Sequence, residues 1–399
     1  MAIKQAVILA GGRGKRLGSF TENNPKPMVP VLGKPFLEHL ILMLKENGIK
    51  EVIILTCYMG QKIKDYFGDG SNLGINIKYS HTPFENEQGQ ENESGLRLKN
   101  AKDLLDRKFL LMYCDNYWPL QLEKLEEFYN DKVADVLITV YSNKDNSTKN
   151  NVLVDSQSYI KKYDRARQDV DLNGVDIGFF IINKKVLDRL PEHNSHFERD
   201  VLPKLVSEKK VAGFLTDQKY YSISDPERVK ITERFLEPKK VIFLDRDGVI
   251  NKKALQARYI KNWEDFEFLP GAVESIKQLT EKGYEIYLMT NQPGVARGFL
   301  EKQELENIHQ KMQQELEKQG GKIKAIYACP HNWDEGCDCR KPKPGMLFQA
   351  AFENHLDLRK ITFVGDDPRD IEAGEAAGCK TILVNSENGI KEAMKHIIN

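Results

Sequence analysis

This 399-residue chain has no excess of charge of either sign: 59 lysines and arginines stand against 59 aspartates and glutamates. That balance leaves no electrostatic footprint for nucleic acid or an anionic membrane, although a local cluster can still hold a small anion. Long hydrophobic runs are missing too. No stretch reaches the length of a membrane span, and the opening MAIKQAVILAGG carries too short an apolar run for a signal peptide, so a cytoplasmic protein with no membrane partner is expected. No internal repeat is visible, and neither GxGxxG nor GxxxxGK[ST] occurs in the first glycine-rich loop, so neither a dinucleotide fold nor a P-loop follows from it. Cysteine is sparse, at six residues. Cys57, Cys114 and Cys379 stand singly in strand-like or helix-end contexts and are expected to be small buried hydrophobes. Cys329, Cys337 and Cys339 cluster, which in a reducing compartment points to metal more than to disulfides. The length itself predicts two or three domains, each able to bury a core.

What is present is organised around VIFLDRDGVIN, residues 241–251. Val241 to Leu244 read as a short buried strand with Asp245 and Asp247 at its carboxyl end, where an open α/β sheet places its chemistry. Asp245 can attack phosphorus, and Asp247 can protonate a leaving oxygen and then activate water. Taken alone, a strand followed by an Asp-Gly turn is an equally good reading. Downstream, a helix stopped by Gly283 leads to a strand and a Thr290-Asn291-Gln292 turn, where a hydroxyl and amides can take phosphoryl oxygens. The following helix has an apolar stripe of Leu305, Ile308, Met312 and Leu316, and His309 reads as a surface residue. In CPHNWDEGCDCRKPKPGM, Cys329, His331, Cys337 and Cys339 make a sufficient set for closed tetrahedral Zn²⁺, a structural ion. Arg340, Lys341 and Lys343 follow at once, placed to present cations to a phosphate. ITFVGDDPRD then reads as a strand ending in Asp366 and Asp367, with a helix from about Asp370, and these carboxylates complete a Mg²⁺ site with Asp245.

The first half opens with a strand, QAVILA, broken by GGRGKRLG, whose glycines let amides close on phosphate oxygens while Arg13, Lys15 and Arg16 supply charge. Prolines 25, 27 and 30 hold Lys26 on a stiff extended segment. A helix ended by Gly48 and the strand EVIILTC follow, while residues 84–94, polar and aperiodic, read as a mobile loop. FLLMYCDNYWP reads as a buried strand delivering Asp115. Residues 236–240, LEPKK, are the expected linker between domains 1–235 and 241–399.

The first set of motifs resembles the sugar nucleotidyltransferases (NDP-sugar pyrophosphorylases), whose Gly-Gly-x-Gly-x-Arg and Pro-Lys-Pro-Met signatures are met by Gly11 to Arg16 and Pro25 to Met28. The resemblance implies that Gly11, Gly12, Arg13, Gly14, Arg16 and Lys26 hold a nucleoside triphosphate, that Lys26 and Arg16 serve catalysis, that Asp115 binds Mg²⁺, and that Asn173 and Gly174 contact a sugar. A sugar phosphate would then attack the α-phosphorus and release pyrophosphate. Two departures stand out. Glu93 to Leu98 is similar to the Thr-Gly-Gly-Arg-Leu of cytidylyltransferases, and Ser222 occupies the place of the second metal aspartate, with Asp225 nearby as a possible substitute.

The second set, DRDGVIN, TNQPGVARG, the cysteine loop and VGDD in order, resembles the haloacid dehalogenase (HAD) phosphatases, in their heptose-bisphosphate and histidinol-phosphate branch. This implies Asp245 as nucleophile, Asp247 as acid/base, Thr290 and Asn291 as phosphate binders, and Arg340 and Lys341 as cationic clamps. Asp245, Asp247 and Asp366 would hold Mg²⁺. Short spacings leave no room for a large cap, so the zinc loop is expected to gate the site. The expectation is therefore two Rossmann-like three-layer α/β domains forming a bifunctional enzyme. One domain removes a phosphate from a heptose bisphosphate-like sugar, and the other transfers NMP from GTP or CTP to a sugar 1-phosphate. Two alternatives stay open: a cytidylyltransferase/phosphatase making a CDP-polyol or CDP-sugar, and a phosphatase carrying a non-catalytic nucleotide-binding module. A homo-oligomer is possible.

Overall fold

The computed structural model describes residues 2–254 and 258–398. Two compact units divide between Phe235 and Leu236. In the first, β1 (Gln5–Ala10), β2 (Glu51–Thr56), β3 (Asn76–His81), β4 (Lys108–Tyr113), β5 (Val136–Tyr141), β6 (Val175–Asn183) and β7 (Val211–Thr216) form one sheet in the order β7-β5-β6-β4-β1-β2-β3. Strands β1 to β4 run parallel, and β6 is antiparallel to both its neighbours. Every residue of β1 is buried, as a central parallel strand covered on both faces requires, which is why it reads as a continuous apolar run and not as an alternation. Helix α1 (Phe36–Glu46) packs Leu37, Leu40, Ile41 and Leu44 inward and ends at Asn47, with Gly48 at φ 78°. Each such aliphatic side chain taken from water contributes about 1.5–3 kcal/mol against chain entropy.

Residues 84–93 form a loop, as their composition predicts, but one that is closed on itself. Glu85 bridges Glu91 in antiparallel sense, and the Asn86 side-chain oxygen accepts from the amides of Gln88 and Gln90 at 3.0 and 2.9 Å. Such an Asx turn satisfies the backbone locally, so polarity here encodes a closed turn. It leads directly into α2 (Ser94–Asn100).

The second unit is built on β8 (Lys240–Leu244), β9 (Tyr284–Asn291), β10 (Ala325–Cys329), β11 (Thr362–Gly365) and β12 (Lys380–Leu383), all parallel, in the order β10-β9-β8-β11-β12. The central strands β8, β9 and β11 are neighbours, so Asp245, Thr290 and Asp366 emerge side by side along one carboxyl edge. Helix α3 (Lys302–Lys318) buries Leu305, Ile308, Met312 and Leu316 as its stripe predicts, but it also buries His309, at 9% exposure. The surface placement expected for His309 is thus corrected. Helix α4 (Pro368–Ala377) begins earlier than expected, with Asp367 as its N-cap and Asp370 closing a capping box. Cys57, Cys114 and Cys379 are buried. Among the described residues no helix is long and apolar enough to cross a membrane.

Candidate active sites

In the first unit the glycine loop leaves β1 directly, and Asp115 lies two residues beyond β4, the strand paired with β1. Between them is a cavity of about 200 Å³ lined by Gly11, Gly12, Lys26, Arg97, Asp115 and His196, among others. The Lys26 ammonium forms an ion pair with the Asp115 carboxylate. Gly11 must be glycine for a local reason: a Cβ there would lie 2.1 Å from Arg97 Nη1 and 2.7 Å from Cys57 Cβ. The Arg97 guanidinium therefore rests on the glycine loop, with Nη2 donating to the Asn92 carbonyl at 2.5 Å. Arg97 belongs to the stretch that departs from the commoner family pattern, and its place on α2, opposite the loop, was not visible from spacing.

The other expected residues of this unit lie elsewhere. Gly14, at φ 68°, precedes the turn Lys15–Thr21. Arg16 is exposed. Arg13 donates to Glu85 Oε1 at 3.0 Å with its guanidinium 4.2 Å from the Phe84 ring centre, and neither arginine lines the cavity. The Asn173 amide is taken up by the backbone of Val154, accepting from N at 2.9 Å and donating to O at 2.8 Å. Gly174 packs so closely on Val140 that a Cβ would lie 2.3 Å from its Cγ1. Ser222 pairs with Asn116 beside Asp115, and its hydroxyl accepts from Arg228 Nη1 at 3.4 Å. Asp225 accepts from the amide of Arg228 at 2.9 Å, at the start of the helix Pro226–Leu236.

Sequence reading missed a buried polar group on the cavity wall. His196 Nδ1 lies 2.5 Å from Glu198 Oε2, and the Ser94 hydroxyl donates to the same oxygen at 3.4 Å. Burial pushes the Glu198 carboxyl up to about 7. Burial and the nearby arginines push His196 down to about 4, so both shifts run towards the neutral form.

In the second unit Asp245 shares the buried Lys341 ammonium with Asp370: Nζ is 2.9 Å from Asp245 Oδ1 and 2.6 Å from Asp370 Oδ1, and it donates to the Met289 carbonyl at 2.7 Å. All three ammonium protons thus have acceptors. Burial raises the Asp245 pKa, as do the like charges of Asp370 and Asp247, against the opposing pull of Lys341. Asp366 points into the same group, its carboxylate inaccessible to solvent, with Oδ1 lacking a hydrogen-bond partner and Lys253 Nζ 2.5 Å from Oδ2. Gly248, at φ 85°, admits it, since a Cβ there would lie 2.1 Å from Asp366 Oδ2. Asp245, Asp366 and Asp370 each bring an oxygen within 4.8 Å of the others.

That trio differs from the expected Asp245, Asp247 and Asp366. The Asp247 carboxylate turns away to Asn251 Nδ2 at 2.8 Å, Gln292 Nε2 at 2.8 Å and the Arg246 guanidinium at 3.0 Å. Burial would raise its pKa, but those donors outweigh it and hold the group below the usual carboxylate range. Gln292 also donates to the Thr290 hydroxyl at 2.9 Å, while the Asn291 amide clasps the backbone of Lys341 at 3.0 and 3.1 Å. Asp367 is the cap described above. Arg340 Nη1 donates to the His331 carbonyl at 3.3 Å, and Lys343 donates to the carbonyls of Gly336 and Cys337, so these cations brace the cysteine loop.

Cys329, His331, Cys337 and Cys339 converge within 4.8 Å of one another. Cys329 Sγ is 3.2 Å from Cys339 Sγ, 3.7 Å from Cys337 Sγ and 3.6 Å from His331 Nδ1. A disulfide needs about 2.05 Å. The edges of a tetrahedron with metal–ligand bonds of about 2.0–2.3 Å are about 3.3–3.8 Å, close to those spacings.

Comparison with known proteins finds a relative for each unit. Residues 5–282 match the family model described as nucleotidyl transferase, and residues 240–382 match polynucleotide kinase 3 phosphatase. Over 158 residues, 40% of this chain and 89% of the relative, the chain is 42% identical to the D-glycero-beta-D-manno-heptose-1,7-bisphosphate 7-phosphatase of Pseudomonas putida. It is 44% identical over 149 residues to the corresponding alpha-heptose phosphatase of Campylobacter jejuni, covering 84% of that protein. A putative glucose-1-phosphate thymidylyltransferase from Bacillus anthracis shares the fold, with a TM-score of 0.50 at 17% identity over 59% of this chain and 97% of its own. The chain belongs to the nucleotidyl transferase family, and it carries in addition a phosphatase of the same family as these heptose-bisphosphate enzymes. It is a bifunctional transferase and phosphatase of sugar-nucleotide biosynthesis.

Proposed function

We propose that the second unit removes the 7-phosphate of a heptose 1,7-bisphosphate and that the first joins the remaining 1-phosphate to a nucleotide. The observation that carries this reading is that one chain holds both a glycine-loop cavity with the Lys26–Asp115 pair and the buried Asp245–Lys341–Asp370 cluster. In the phosphatase, Asp245 attacks phosphorus to form an aspartyl-phosphate while Lys341 offsets charge on Asp245 and Asp370. Asp247, ionised at rest, is the candidate acid/base: it must first take up a proton, which it passes to the departing sugar oxygen, and it then takes one back from the attacking water. The excess of carboxylate over ammonium at Asp245, Asp366 and Asp370, with a buried oxygen on Asp366 that has no donor, suits Mg²⁺, which when bound would neutralise the phosphoryl oxygens. Thr290 and the amides around it are the candidate phosphoryl ligands. In the transferase, Gly11, Gly12, Lys26 and Arg97 are the candidate triphosphate ligands, and Asp115 is the candidate Mg²⁺ ligand.

The expected substrate pair is GTP with a heptose 1-phosphate. Arg97 on the glycine loop, in the stretch similar to cytidylyltransferases, favours CTP as the second reading. Pyrophosphate release from each of the four NTPs and dTTP, against a panel of sugar 1-phosphates and polyol phosphates, decides between them. Release with GTP and a heptose 1-phosphate supports the first reading, and release with CTP supports the second. Silence throughout would mean that the first unit only binds nucleotide, as the Ser222 departure allows.

The Cys329–His331–Cys337–Cys339 group fits a structural Zn²⁺ that shapes the loop bearing Arg340 and Lys341. Elemental analysis should find about one zinc per chain, as a four-ligand closed site requires. Stripping it should lower the melting temperature and phosphate release together. A zinc-free protein with unchanged melting would refute the assignment.

A further inference from the structure

We propose that His309 is a positioning residue for phosphoryl transfer: it holds Arg246, and Arg246 in turn fixes Asp247 at the leaving oxygen. The inference rests on the phosphatase reading of the second unit. His309 Nε2 lies 3.0 Å from Arg246 Nη1. A guanidinium can only donate, so the ring accepts at Nε2 and carries its proton at Nδ1. Burial and the Arg246 charge keep the ring neutral, with a pKa pushed down to about 3.

Arg246 is 1% exposed and turns its other edge to Asp247. Nε and Nη2 donate to Oδ1 at 3.2 and 3.0 Å, and Nη2 reaches Oδ2 at 3.0 Å. The two residues are adjacent in sequence, and chain geometry alone does not force a flexible arginine to curl back on its neighbour. An acceptor at its far end removes that freedom. On the remaining sides Asp247 meets Asn251 and Gln292, so its carboxylate is gripped by three donor groups. A leucine or methionine would fill the same place on the α3 stripe beside Leu305 and Met312. An imidazole there gains nothing from burial except through its bond to Arg246.

The role predicts a dependence on the leaving group, because p-nitrophenolate departs without a proton whereas a sugar alkoxide needs one. General acid catalysis contributes about 10²–10⁴-fold, so loosening its acid in His309→Leu should cost about tenfold in kcat/KM on heptose 1,7-bisphosphate and under about twofold on p-nitrophenyl phosphate. His309→Gln, whose amide oxygen can accept from Arg246, should recover most of the loss. Equal losses on both substrates, an unchanged leucine variant, or no recovery with glutamine would each overturn the proposal. Should the leucine variant fail to fold, Arg246→Lys, which keeps the charge without the fork, carries the same test: a selective loss on the sugar phosphate supports the proposal, and an equal loss on both overturns it. A wild-type protein inert towards both phosphates would instead refute the phosphatase reading itself.

Discussion

Asp245→Asn should abolish phosphate release, by a factor on the order of 10³ or more, and leave pyrophosphate release at its wild-type rate. The amide keeps the volume of the carboxylate but offers phosphorus no nucleophilic oxygen, and Lys341 loses one of the two carboxylates it bridges. The transferase should not respond, because Lys26 and Asp115 belong to the other compact unit. Removing a like charge beside Asp370 relieves repulsion while weakening the Lys341 pair, so the variant should remain folded. The check is a paired assay of both products on one preparation, with metal content measured alongside. Equal loss of phosphate and pyrophosphate release would sink the two-site reading, and retained phosphate release would move the nucleophile to another carboxylate.

Much of this architecture was legible because parallel strands buried on both faces must be written as apolar runs. QAVILA, EVIILT, VIFL and ITFVG each announce a strand, and the polar residues that follow are where an α/β sheet collects its chemistry. What spacing could not give was direction. Asp245 and Asp247 lie two apart, yet one carboxylate faces Lys341 and the other faces Asn251 and Gln292. Asp366 and Asp367 are adjacent, yet the second is a helix cap, and Asp370, one helical turn on, takes the place beside Asp245. A signal for that exchange was present, since Pro368 at the first helical position makes the residue before it a natural cap. His309 also left a trace, lying four residues after Leu305 and three before Met312, squarely on the apolar stripe. Its burial follows from periodicity, but its partner does not, because Arg246 lies 63 residues away in sequence. Asn173 shows the converse: an asparagine beside a glycine suggests a ligand contact, whereas here it replaces a strand partner for Val154.

Asp115→Asn should lower pyrophosphate release by about 10²–10³-fold, the scale on which a single group aimed at developing phosphoryl charge acts, and leave phosphate release intact. Two explanations of such a loss must be separated, because Asp115 is also the ion-pair partner of Lys26. If its sole task is to hold that ammonium, then Lys26→Met alone, Asp115→Asn alone and the double variant should all be impaired alike. If Lys26 meets the triphosphate while Asp115 holds a metal ion, the two losses should multiply in the double variant. The Asp115→Asn enzyme should then also need a higher Mg²⁺ concentration for half-maximal rate, while Lys26→Met should instead raise KM for the nucleotide. Ser222 sharpens the comparison, since a hydroxyl bonded to Arg228 stands beside Asp115 with no carboxylate of its own. A metal site that relies on one side-chain carboxylate has no second one to fall back on, so loss of Asp115 should be more damaging here than in a site with two. Ser222→Asp, made in the Asp115→Asn background, should restore part of the Mg²⁺ dependence if the ion sits between these positions. No recovery together with equal single and double losses would reduce Asp115 to a prop for Lys26.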